Sequence, residues 1–296
     1  MFLHVGRKAS LLVLVVPAMG LAACGGGKHT LSVKETEPGQ NQYAYEGLKS
    51  IDGGKVTIDF TNKGKMEHEL QLVKVDGNRP ASEVKAALAK VVGGENQPVP
   101  AWLHALGGVA FVKPGQTLTS TLALGPGKYY AVDTNSNMQS NGPPYLTQGA
   151  FAAFDVKGGK PTASLPKGTA TIIAKDVPGD MHAFDVSGLK VGKNTVAFAN
   201  RSQKEDHHFV LFPLAPGKTL ADAKKTLTSM GKPSGPPALD LENGVGGPVL
   251  GAKLEQTTQI DVPKAGNYVL LCFVTDRDGK GPPHFLKGMF KEVKVS

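Results

Sequence analysis

The stretch YVLLCFVTDRDGKGPPHFLKGM, residues 268–289, carries three side chains of the kinds that bind soft metals. An apolar run ends at Cys272, eleven residues separate it from His284, and four more separate His284 from Met289. A thiolate, an imidazole and a thioether together favour a soft metal ion over oxygen-seeking cations. Each residue also has a plainer reading. Cys272 suits a buried, inert core thiol, and Met289, beside Phe290, suits core packing. The pair His207–His208 suits the polar start of a strand with one ring bonded to backbone.

The elements that must position these residues are written twice. Lys128–Val156 laid on Asn267–Val295 without a gap gives seven identities in 29 positions, among them Tyr129/Tyr268, GPP 142–144/281–283, Gly149/Gly288 and Phe151/Phe290. Upstream, GKVTIDFTNKGKMEHELQL (54–72) matches GKNTVAFANRSQKEDHHFVLF (192–212) with one residue inserted before the histidine. A repeat of roughly 139 residues is too long for a solenoid unit and implies two homologous domains. Val56, Ile58 and Phe60 alternate with polar residues, as do Val196 and Phe198, which predicts strands. One helix is expected per copy, over 81–92 with Val84, Ala87, Leu88 and Val91 on one face, and over 218–230 with Leu220, Ala223, Leu227 and Met230. Thr219 is the expected N-cap of the second. Short strands, turn signals and one inserted helix per copy predict a mainly β chain of two tandem β-sandwich domains.

The N-terminus reads as an export signal. Arg7 and Lys8 precede an apolar run from Ala9 to Ala23, too short to span a bilayer comfortably. The junction LAAC resembles the lipobox of bacterial lipoproteins, which implies cleavage before Cys24 and lipid on its sulfur. The expected organisation is a signal peptide over 1–23, a flexible tether over 24–42, one domain over 43–157, a Gly/Pro/Lys-rich linker over 158–168 and a second domain over 169–296. The chain would then be exported and lipid-anchored, facing the extracellular or periplasmic side of a membrane. With Cys24 lipidated, the only other cysteine, Cys272, has no disulfide partner in an oxidising compartment, so it is buried, metal-bound or open to oxidation. The net charge of +8 falls by two to +6 once Arg7 and Lys8 leave, and the remaining charges are scattered. Nucleic acid is therefore not an expected partner. A membrane, through the lipid, and a redox or envelope protein are. The sequence contains no G-x-S-x-G, H-E-x-x-H or Walker loop, and no enzyme is expected.

In the second copy, Asn200 at a strand end, then His207, then Cys272, His284 and Met289 before a final strand ending EVKV resemble the cupredoxin family. The resemblance implies a Greek-key β-sandwich in each copy and one copper near one end of the second. It implies His207, Cys272 and His284 as in-plane ligands, Met289 as the axial thioether, and a role in electron transfer or copper handling. His207 rather than His208 fills the upstream position because it aligns with His68. The eleven-residue gap between Cys272 and His284 is longer than the family's short loop. The first copy has Asp133, Tyr145 and Ala150 at the corresponding positions, keeping only His68, so no copper of this kind is expected there. Its His68, Glu67 and Glu69 could hold a weak surface metal. The competing reading is a pair of metal-free cupredoxin-like modules that bind a protein, an envelope component or a small ligand.

Overall fold

The computed structural model describes residues 29–93, 97–136, 142–229 and 237–296. The expected signal peptide, Cys24 and Met230 fall outside these residues. The first half of the chain forms β1 (Thr30–Gly39), β2 (Gln42–Glu46), β3 (Ile51–Asp52), β4 (Gly54–Asn62), β5 (His68–Val75), α1 (Ala81–Val92), β6 (Leu103–Val112), β7 (Thr117–Leu124), β8 (Gly127–Val132) and β9 (Phe151–Lys157). The second half repeats the series except for β3, which has no counterpart among the described residues. It forms β10 (Ala170–Val177), β11 (Met181–Ser187), β12 (Gly192–Asn200), β13 (His207–Pro213), α2 (Leu220–Thr228), β14 (Val245–Leu250), β15 (Glu255–Val262), β16 (Gly266–Leu271) and β17 (Phe290–Val295).

The strands form two sheets, ordered β11-β10-β12-β15-β7-β4-β1-β2 and β17-β16-β13-β14-β6-β5-β8-β9-β3. In each half the two sheets face each other across their own core. Val196 and Phe198 meet Phe209, Leu211, Tyr268 and Leu270 in the second half. Ile58 and Phe60 meet Leu70, Leu72 and Tyr129 in the first. The alternation seen in the sequence of β4 and β12 is the inward-outward alternation of a strand with one face on a core. Nearly every residue of β5 and β13 is buried instead, because a second apolar layer containing α1 or α2 covers their outer faces.

The halves are not strung side by side. Strand β7 pairs with β15 through Thr121↔Thr257, and β6 meets β14 through Leu106↔Leu250, so both sheets run through both copies. Each strand thereby gains a partner along an edge that would otherwise stay open. Gln71 bridges the seam, its Oε1 accepting the Val249 N–H at 2.7 Å and its Nε2 donating to the Val249 carbonyl at 3.0 Å.

One expected boundary is wrong. The tether expected over 24–42 contains β1, which pairs in parallel with β4 and antiparallel with β2. Leu31 and Val33 point into the core while Ser32 and Lys34 point out, which is ordinary half-buried strand patterning hidden in a polar stretch. The expected cap is present. Thr219 Oγ1 accepts the Asp222 N–H at 3.2 Å, and Asp222 Oδ2 accepts the Thr219 N–H at 2.8 Å, a reciprocal capping box.

Candidate metal centre

Three chain segments meet at one end of the second half. His207 opens β13, Cys272 follows β16, and His284 opens a short 3-10 turn over His284–Lys287 that leads through Gly288 to Met289 and β17. Main-chain bonds fix these pieces together. Phe285 N–H donates to the Cys272 carbonyl at 2.8 Å, Met289 N–H to the His284 carbonyl at 3.0 Å, and Cys272 N–H to the Met289 carbonyl at 3.3 Å. Asn200 holds the approach to β13, donating from Nδ2 to the carbonyls of Glu205 and Leu250 and accepting the Ser202 N–H.

The long loop between Cys272 and His284 closes over the site instead of looping away. Arg277 pairs with Asp206 and donates its N–H to Glu205 at 2.7 Å, while Asp276 binds His284 Nε2 at 3.0 Å and Lys287 Nζ at 2.8 Å. Gly279 and Gly281 take left-handed φ values of 74° and 81° at its turns. The extra residues thus supply a buttress, Asp276, that orients the outer nitrogen of His284.

The result is a triangle of ligand atoms. His207 Nδ1 and His284 Nδ1 are 2.9 Å apart, and the Cys272 sulfur lies 3.9 Å from the first and 3.8 Å from the second. The point equidistant from all three lies about 2.1 Å from each, within the usual span of metal–imidazole and metal–thiolate bonds. All three side chains are fully buried, and Met289, also fully buried, shares the apolar cluster that contains Cys272. The fold is cupredoxin-like.

What makes it so is internal to the chain: the two-sheet sandwich, the upstream histidine at the head of one strand, and the Cys–His–Met segment folded against it. Four sequence-predicted residues therefore come to one end of the second half, with His207, Cys272 and His284 in mutual reach. His208 does not join them; its Nε2 accepts the Phe273 N–H at 2.8 Å and serves the backbone.

A third imidazole, absent from the sequence expectation, stands beside the triangle. His182 on β11 has its ring centroid 4.8 Å from that of His207 and 4.5 Å from that of His284. Its Nδ1 is held 3.0 Å from Asp176, and its Nε2 is buried without a hydrogen-bond partner. Carboxylate-oriented imidazoles with a free second nitrogen are the usual form of a metal-binding histidine. The cue in the sequence is faint: a lone histidine in the alternating segment MHAFDVS, where His182 and Phe184 point inward.

Burial sets the electrostatics. It pushes the Cys272 thiol up to about 12, whereas His207 is held down at about 2, by burial first and then by the neighbouring His284 and His182 rings. His284 sits at about 4, lowered by burial and His182 against the opposing pull of Asp276. At neutral pH both imidazoles are therefore free bases and the thiol is protonated, so a metal bound there would have to displace the thiol proton.

The first half differs at these positions. His68 is fully buried, with Tyr43 and Tyr145 packed around its ring, so the expected weak surface metal site with Glu67 and Glu69 does not exist. The reason is strand alternation: Glu69 turns away to accept the Thr134 N–H at 2.9 Å.

No family model matches the chain, and no curated protein matches it. Solved structures do. The reduced auracyanin of Roseiflexus castenholzii is 20% identical over 45% of this chain and 99% of its own, with a TM-score of 0.31. A copper nitrite reductase of Nitrosomonas europaea is 14% identical over 90% of this chain and 94% of its own, TM-score 0.25. A multicopper oxidase is 14% identical over 90% and 88%, TM-score 0.25.

Proposed function

We propose that this chain binds one copper ion in its second half, through His207, Cys272 and His284 with Met289 behind them, and serves electron transfer or copper handling. The observation that carries the reading is the triangle of two Nδ1 atoms and one sulfur around a point about 2.1 Å from each. Copper in such a donor set supplies one-electron chemistry. The protein's part is to hold the donors still. Strand β13 fixes His207, the end of β16 fixes Cys272, and the 3-10 turn with Asp276 fixes His284, so little has to move when a charge arrives. Burial excludes water and favours a thiolate–metal bond over a free thiolate. Phe273, directly after Cys272, is exposed and borders an apolar cavity of about 400 Å³ shared with Leu88, Val99 and His208, which gives electrons a short path to a docked partner.

In this reading the two copies are tandem domains joined by 158–168, lipid on Cys24 ties the chain to a cell membrane facing the extracellular or periplasmic side, and the partner is a redox or envelope protein. Copper titration of the chain lacking residues 1–24, followed by visible absorption and paramagnetic resonance, tests the metal. One tight copper per chain with an intense thiolate-to-copper band supports the reading, and the absence of stoichiometric binding overturns it. Mass spectrometry of the membrane-extracted protein tests the lipid on Cys24.

A further inference from the structure

We propose a second metal site, in the first half, where Glu35, His68 and Asp133 bind a divalent cation of the zinc or manganese kind. The three residues sit where the second half has a different set. The pairing Leu31↔Ile58 repeats as Ala170↔Val196, which puts Glu35 at the place of Ala174, and Asp133 and His68 stand where Cys272 and His207 stand. The first half therefore keeps a histidine at the same end of its sandwich but surrounds it with oxygen instead of sulfur.

The three side chains bring one donor atom each to the same point. His68 Nδ1 lies 2.8 Å from Asp133 Oδ2 and 3.2 Å from Glu35 Oε1, and one ligand atom from each residue lies within 4.8 Å of the others. Neighbouring donors around a cation bound at about 2.1 Å stand roughly 3.0 to 3.5 Å apart, depending on coordination number. All three side chains are fully buried. Asp133 is already aimed: its Oδ1 accepts the Asn135 N–H at 2.8 Å and its Oδ2 the Glu69 N–H at 3.2 Å.

Glu35 points independently to a missing partner. Both its carboxylate oxygens are buried, and neither takes a hydrogen bond. Among the described residues no lysine or arginine pairs with Glu35 or Asp133, so His68 is the one basic side chain that both face. A buried carboxylate left without a donor is costly unless it is protonated or holds a cation. A divalent ion would give Glu35 the partner it lacks: its Oε2 meets none, and its Oε1 has only the His68 ring at 3.2 Å, without a hydrogen bond. At the rim Glu37, with Oε1 3.2 Å from His68 Nε2 and partly exposed, orients the far side of the ring. Two carboxylates and one imidazole suit zinc, manganese(II) or iron(II), and offer copper none of the sulfur found in the second half. The proposal does not depend on copper binding there.

The test uses the full chain freed of metal by chelation and carrying Cys272→Ser with His284→Ala, which disarms the second half's cluster whatever it binds. Zinc is titrated calorimetrically, and manganese(II) by loss of the free-ion paramagnetic resonance signal. One ion per chain is expected, with at least tenfold weaker binding after Glu35→Gln and none after His68→Ala, each variant keeping the circular dichroism of a folded β protein. If Glu35→Gln does not fold, Asp133→Asn replaces it with the same expectation. No stoichiometric binding of either ion, or binding that the folded carboxylate variant leaves unchanged, would show that His68 merely bridges the carboxylates as a buried ion pair and would overturn the proposal.

Discussion

The two halves of this molecule share a strand order and hold different side chains at the same end of the sandwich. Where the second half has His182, His207, Cys272, His284 and Met289, the first has Tyr43, His68, Asp133, Tyr145 and Ala150. In the second, burial favours neutral imidazoles and a thiol waiting to give up its proton. In the first, one imidazole lies between carboxylates and under two tyrosine rings. The comparison teaches that the sandwich fixes where ligand atoms point, while the choice of sulfur or oxygen at one position, Cys272 or Asp133, decides which ions can be satisfied there.

The largest effect that would sharpen the contrast is the loss of copper. Cys272→Ser or His284→Ala is expected to abolish the thiolate-to-copper band, while His68→Ala leaves it intact. An equal loss from His68→Ala in absorption titrations would place copper in the other half. Next comes pH. Burial first, and then the Asp133 charge, raise Glu69 from 4.5 to about 8, so the folded chain holds a proton that the unfolded chain has released. The stability linked to this group is fully present below about pH 4.5 and is lost as pH rises toward 8. In metal-free protein, denaturant melts should show a slope of about 1.4 kcal/mol per pH unit for each such proton. Glu69→Gln should flatten that slope by up to one proton, and an unchanged slope would detach the effect from the first half's acidic cluster.

A smaller change is expected at His182. His182→Gln should leave copper bound, yet shift the resonance parameters and the reduction potential, because an imidazole beside the triangle is exchanged for an amide. Identical spectra would make His182 a packing residue. The smallest effect belongs to Thr219→Ala, which removes one half of the capping box of α2 and should cost about 1 kcal/mol in chemical denaturation. It should leave metal binding in both halves unchanged.

Much of this was legible in the sequence because it is local. The alternation of Val56, Ile58 and Phe60 and the cap at Thr219 follow from neighbours a few residues apart, and the choice of His207 over His208 follows from aligning the second copy with His68 of the first. That His207, Cys272, His284 and Met289 gather at one end of the second half follows the order that the family resemblance implied. The remainder depended on register between distant strands. Strand β1 was hidden because its inward positions include Glu35, whose burial has meaning only beside His68 and Asp133. His182 reaches the site only because β11 pairs with β10 at His182↔Asp176, which no spacing along the chain reveals. The long Cys272–His284 gap looked like an obstacle, yet it closes through Asp276 and Arg277, whose partners lie on other segments.

The most direct test of the central claim is X-ray absorption at the copper edge on the chain loaded with one equivalent of copper. The account predicts one sulfur at about 2.1 to 2.3 Å and two imidazole nitrogens at about 2.0 Å, with the sulfur contribution gone in Cys272→Ser. A shell of nitrogen and oxygen alone, or one that Cys272→Ser leaves unchanged, would contradict it.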